Sequence, residues 1–184
     1  MRSSLIPFVL AVLSVVLFAS AGQAQGLNWD INSFETELTI NTDGSFDVIE
    51  RIDVDFTREP HHGIYRDIPY AYRRHGTSYN VRISGFSVGD GGGATRPFEV
   101  SRSGGMVRLK IGRGDRKVSG VATYVIGYTV RRAMLSFANH DEVYWNATGT
   151  NWPAPIERAT CTVHLPTSVP TDQIGAASYK GAFG

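Results

Sequence analysis

From Trp29 onward apolar residues recur with period two, and no stretch of useful length repeats at 3.6 residues. Phe34, Leu38 and Ile40 share one face of a first predicted strand. Asn41-Thr42-Asp43-Gly44 then supplies a turn, with Gly44 able to take positive φ. Phe46, Val48, Ile52, Val54 and Phe56 share one face of the return strand, and Asp47, Arg51, Asp53 and Asp55 take the other. Two alternating runs around Asp-Gly predict a β-hairpin. Further on, Val81 and Ile83 hold one phase and Phe86 and Val88 the other, with Gly85 placed for a bulge that restores a common face.

Asp90-Gly91-Gly92-Gly93 reads as a loop, and 97–101 with 106–111 as a second hairpin around Ser103-Gly104-Gly105. In its return strand Val107, Leu109 and Ile111 face in while Arg108 and Lys110 face out. A polar connection over 112–120 leads to 121–130, where Tyr124, Ile126, Tyr128 and Val130 oppose Val121 and Val125. That pattern predicts a central strand covered on both sides. Residues 143–145 form a short strand; 63–69 reads as a loop at the end of the sandwich. Ala159, Cys161, Val163 and Leu165 alternate with Thr160, Thr162 and His164 until Pro166 ends the run, which places Cys161 inside as a small buried hydrophobe. Seven or eight short strands at hairpin spacing predict an all-β antiparallel sandwich. No repeat of fixed period points to a propeller or solenoid. After Pro166 a few apolar residues (Ile174, Tyr179, Phe183) lack a closing strand, so the domain over 25–184 is expected to be incomplete at its C-terminal end.

The first segment changes the compartment. Met1-Arg2 is basic, Leu5 to Phe18 is nearly all apolar, and Ala19-Ser20-Ala21 or Gly22-Gln23-Ala24 ends in small residues. This three-part pattern over 1–24 is that of a secretory signal peptide, a signal helix ahead of the β domain. An uncleaved anchor is the competing reading, but the apolar run is shorter than the ~20 residues that span a bilayer. Lys and Arg number 18 and Asp and Glu 17; loss of Arg2 with the signal leaves 17 of each. Such a balanced surface offers no steering toward nucleic acid. The lone cysteine excludes a disulfide scaffold or a Cys-based zinc site within one chain.

Three stretches carry a resemblance: 41–50 (NTDGSFDVIE), 63–69 (GIYRDIP) and 141–149 (DEVYWNATG), with Trp152, Pro153, Ile156 and Leu165-Pro166 following in order. The chain resembles the extracytoplasmic N-terminal domain of the YciQ-like predicted bacterial membrane proteins, domain-of-unknown-function family 2207, over nearly all of its length after the signal. The resemblance implies a β-rich domain outside the cytoplasmic membrane, ahead of transmembrane helices, with no established activity and no catalytic residue to carry over. The helices of a full-length protein, or an envelope component, are the partners it implies.

Candidate chemistry is sparse. Glu50 lies in phase with Phe46, Val48, Ile52 and Val54, on the face that should be buried, where a carboxylate needs a cation or several donors. Arg66 is the candidate partner, because its fork can grip a carboxylate bidentately. The pair reads either as a structural ion pair pinning 63–69 or as a ligand-binding carboxylate; a bulge that turns Glu50 outward is a third reading. His61, His62, Asp67 and His75 could be metal ligands, but adjacent strand residues face opposite ways, and a polar loop is the favoured reading. His140-Asp141-Glu142 is read in the same way. Arg66, Asp141, Glu142, Tyr144, Trp145 and Trp152 make up the candidate binding surface. Tyr144, Trp145 and Trp152 beside Asn146 and Asn151 suit sugar stacking, and Asp141 or Glu142 could serve glycan cleavage if a second carboxyl lay across a groove. Packing of both tryptophans into the core and a loop is the opposing reading. No nucleophile elbow, no phosphate-binding loop and no cofactor motif is present in the sequence. The expectation is a non-catalytic, exported binding or sensing domain, with a carbohydrate-binding or glycan-cleaving domain as the alternative.

Overall fold

The computed structural model describes residues 28–74 and 77–178. The signal segment with its helix, His75, Tyr179 and Phe183 lie outside the described residues. Twelve strands and a single 3-10 turn (Thr171–Gln173) make up the described regular structure. They are β1 (Asp30–Ile40), β2 (Phe46–Asp55), β3 (Gly63–Pro69), β4 (Ala71–Arg74), β5 (Thr77–Asn80), β6 (Arg82–Gly89), β7 (Phe98–Ser103), β8 (Met106–Gly112), β9 (Val121–Arg131), β10 (Met134–Ser136), β11 (Asp141–Val143) and β12 (Ala159–His164).

Five strands in the order β12-β1-β2-β9-β6 form the main sheet, and β3-β8-β7 a smaller one; β4-β5 and β10-β11 are two-stranded ribbons. The hairpin β1–β2 turns where its sequence specifies. Asp43 accepts from the Ser45 amide at 2.9 Å, Gly44 stands at φ 76°, and Gly44 N–H donates to the Asn41 carbonyl at 3.0 Å. The register of β6 on β9 shifts between Ser84 and Ser87, with Gly85 at φ 70°, so Ile83 and Val88 end on one face. The core is the facing apolar phases of the two sheets. Phe46, Val48, Ile52 and Val54 on β2 and Tyr124, Ile126 and Val130 on β9 are buried with Ile64 and Ile68 on β3 and Val107, Leu109 and Ile111 on β8. Each such aliphatic or aromatic side chain contributes about 1.5–3 kcal/mol by leaving water.

Four expectations are corrected. Residues 63–69 are a strand, β3, not a loop: Gly63 pairs with Gly112, and each accepts the close approach of the other's strand because a Cβ on either would overlap backbone. β9 is central in the sheet but covered on one face; Val121 is exposed and Thr123 and Val125 only half-buried, because the second sheet lies on one side. The short strand after β10 spans Asp141–Val143, not 143–145, and pairs with Met134–Ser136. The last strand runs parallel to β1, and all six of its residues are exposed. Cys161 stands in the inward phase, opposite Thr36, yet it is open to solvent because the smaller sheet does not extend over β12.

Candidate functional site

The alternation of β2 sends Glu50 inward between Val48 and Ile52, and that of β3 sends Arg66 inward between Ile64 and Ile68. The two sheets thus bring one acid and one base face to face in the core. Both side chains are 0% exposed. Arg66 Nε donates to Glu50 Oε2 and Nη2 to Oε1, each at 2.7 Å, a bidentate fork. Tyr128 on β9 donates its hydroxyl to the same Oε1 at 2.5 Å, and Arg66 Nη1 donates to the Asp67 carbonyl at 2.8 Å. Burial alone would pull the guanidinium pKa down; the adjacent Glu50 carboxylate outweighs it and holds Arg66 above the ordinary arginine value. Burial first, then the Glu50 charge, push the Tyr128 phenol well up, so it stays a donor.

The segment 144–153 closes over this node. The Arg66 guanidinium lies 5.4 Å from the Phe34 ring centroid and 5.9 Å from that of Trp152. Gly149, at φ 79°, lies so close that a Cβ there would overlap the guanidinium. Thr36 on β1 donates to the Ala147 carbonyl at 2.9 Å, Trp152 Nε1 donates to the Thr148 carbonyl at 2.7 Å, and the Gly149 amide donates to Asn146 Oδ1 at 2.9 Å. The loop is tied to itself, to the main sheet and to Arg66.

The candidate surface residues divide between inside and outside. Trp145 stands edge-on to Phe46 with centroids 5.3 Å apart, and Trp152 edge-on to Phe34 at 5.8 Å; both are half-buried against the core. Tyr144 is exposed, Asp141 is exposed and Glu142 half-buried, the last two on β11 opposite Ser136 and Leu135. Arg66 and Trp152 meet at the node, whereas Asp141 and Glu142 sit on the separate β10–β11 ribbon. His61 and His62 diverge. The ring of His61 packs on Trp29 and Phe56, at 5.8 and 5.1 Å, while His62 Nδ1 lies 3.2 Å from the Arg113 and Arg116 carbonyls. Among the described residues no three His, Cys, Asp or Glu side chains are grouped to hold a metal ion.

Sequence reasoning passed over Tyr128, although its inward phase on β9 was visible and a buried hydroxyl needs a partner. It also passed over a cleft of about 300 Å³ beside the node. Trp29, His61, Tyr65, Asp67, Arg108 and 150–153 line it. There Asp67 and Arg108 pair bidentately at 2.6 and 2.7 Å. Asp67 and Arg108 are opposite each other on β3 and β8, which the sequence could not align without knowing that those strands are neighbours.

The chain matches the family described as "Predicted membrane protein (DUF2207) N-terminal domain" over residues 30–181 and belongs to it. It is 29% identical over 131 residues to the uncharacterized protein YciQ of Escherichia coli K12, a match covering 68% of this chain and 20% of that protein. The chain thus spans about a fifth of the length of the curated relative it matches. Among solved structures it is similar to native leukotriene A4 hydrolase from Saccharomyces cerevisiae (TM-score 0.38, 10% identity, 55% of this chain and 15% of that one). It is also similar to an M1 zinc metallopeptidase from Deinococcus radiodurans (TM-score 0.35, 14% identity, 55% and 20%). No helix of the described residues is long and apolar enough to cross a membrane.

Proposed function

We propose that this domain is a non-catalytic binding or sensing module that works outside the cytoplasmic membrane as part of a membrane protein. The observation that carries the reading is the sealed node. Arg66, buried with Glu50, directs its donors to that carboxylate and to a backbone carbonyl and lies against two aromatic rings, so the pair fastens the loop from inside the domain. A loop fastened in that way presents its outer side chains without the entropy cost of ordering them on binding. The binding surface is the outer side of β3 and the 144–153 loop, where Tyr65, Tyr144 and Asn151 are exposed. The N-terminal signal pattern supports export, and the family's description as predicted membrane protein supports a role beside a bilayer. In the whole protein the bound state would pass to the membrane-embedded part.

Two measurements test this. Hydrogen exchange with added extracellular solutes should give protection confined to 61–69 and 144–153. Protection elsewhere, or turnover of peptide, ester or glycoside substrates by the chain, would overturn the reading.

A further inference from the structure

The cleft beside the Arg66 node has a lining whose chemistry specifies a ligand class. Its carboxylate and its guanidinium, Asp67 and Arg108, are paired through both carboxylate oxygens, so neither stands as a free charge. One ring is open: Tyr65 is 57% exposed, with the Arg108 guanidinium 5.4 Å from its ring centroid, while the buried Trp29 and the half-buried Trp152 also line the cleft. Uncharged polar groups are spaced among the rings. Thr150 and Asn151 lie on the rim, Asn151 in the left-handed region at φ 67°. His61 adds a second, independent observation. Its Nε2 is buried in the cleft wall and has no hydrogen-bond partner, where nearly all buried polar atoms are paired.

A purely apolar ligand would leave Asp67, Arg108 and Asn151 desolvated without replacement bonds, which costs rather than contributes affinity. An ionic ligand would have to break a bidentate pair. What fits is a molecule with a flat apolar face and a rim of uncharged hydroxyls. We propose that this cleft binds a neutral sugar ring, stacked on Tyr65, its hydroxyls donating to the Asp67 carboxylate and accepting from the outer N–H groups of Arg108, with Asn151 as a further hydrogen-bond partner. The inference rests on the binding-module reading and names its ligand class. It places the sugar-facing surface at Tyr65 on β3 instead of at Tyr144 and Trp145.

Because Trp29 and Trp152 line the cleft, their fluorescence reports occupancy without a label. The 184-residue chain is titrated with cellotriose, maltotriose and triacetylchitotriose, and separately with a hexaproline peptide. The expected result is a saturable change with at least one trisaccharide. Tyr65→Ala should weaken it at least about tenfold, the loss of some 1.4 kcal/mol of stacking, and Ile49→Ala, at an exposed position of β2 away from the cleft, should leave it within about twofold. Tyr65 is exposed, so its truncation leaves the core intact, and an unchanged melting temperature verifies that. No saturable change with any trisaccharide, or one indifferent to Tyr65→Ala, overturns the proposal. A Tyr65-dependent response to hexaproline alone overturns the sugar assignment and leaves the binding module standing. Cleavage of a bound trisaccharide overturns the non-catalytic reading and keeps the site.

Discussion

Cys161 and Glu50 flank Thr36 in one cross-strand row of the main sheet, which continues through Ile126 to Val88. All five side chains leave the sheet on the same side. Thr36, Glu50, Ile126 and Val88 are buried, the carboxylate completely, whereas the cysteine at the end of the row is exposed with Val163 beside it in phase. The polar residue is inside and the apolar one outside because β3 and the 144–153 loop lie over the middle of the row and nothing described lies over its end. Burial along this row is decided by the second layer and not by the residue's own hydrophobicity. The second layer supplies a guanidinium where the row supplies a carboxylate.

The sharpest way to break this contrast is to remove the guanidinium. Arg66→Met should strand the Glu50 charge in the core and cost about 3–5 kcal/mol in urea unfolding. The double variant Glu50→Leu/Arg66→Met should recover most of that. A single variant that unfolds at the wild-type midpoint would mean that the middle of the row is as open as its end. Tyr128→Phe removes one donor to the carboxylate and should cost about 1.5–3 kcal/mol, read in the same denaturation experiment. Gly149→Ala adds a Cβ against Arg66 at a left-handed backbone position; the expected loss is about 1–3 kcal/mol, with faster proteolysis within 144–153.

Acid acts on the solvent side of β2 and on the turn that precedes it. The Ser45 hydroxyl and amide hold Asp43 below the ordinary carboxylate range, and the Thr129 and Asn41 side chains do so for Asp47. A depressed carboxyl pKa contributes stability that is complete above the unfolded value of ~3.9 and fades as pH falls through the lower folded value. The melting temperature should therefore drop below about pH 4, and Asp43→Asn should flatten that fall. The smallest effect belongs to the open end of the row. Val163→Thr should shift stability by no more than about 0.5 kcal/mol. In the native state Cys161 should react fully with a maleimide at mildly alkaline pH, its thiol pushed up by partial desolvation from its surroundings. A protected Cys161 would show that the row is covered to its end.

Much of the site was legible because two errors of pattern are informative. An acid in a greasy phase demands a base in another greasy phase, and Glu50 and Arg66 each stand out in that way. The bidentate geometry, the Tyr128 hydroxyl and the approach of Gly149 were not legible, since they depend on two strands and a loop, 16, 78 and 99 positions from Glu50, arriving at one point. The cleft was missed for the same reason. Tyr65, Asp67 and Arg108 look like ordinary outward residues until β3 and β8 are known to be partners.

Alternation along each strand settled which way every side chain leaves the backbone, because successive residues of an extended chain point to opposite faces. It also marked the turn at Gly44 and the bulge at Gly85, where glycine accepts backbone angles that other residues resist. What covers each face came only from the tertiary arrangement. The parallel pairing of β12 on β1, the reach of the second sheet and the closure of 144–153 over Arg66 join positions far apart in the chain. A strand's own sequence specifies a direction for its side chains, whereas the material met in that direction belongs to another part of the polypeptide.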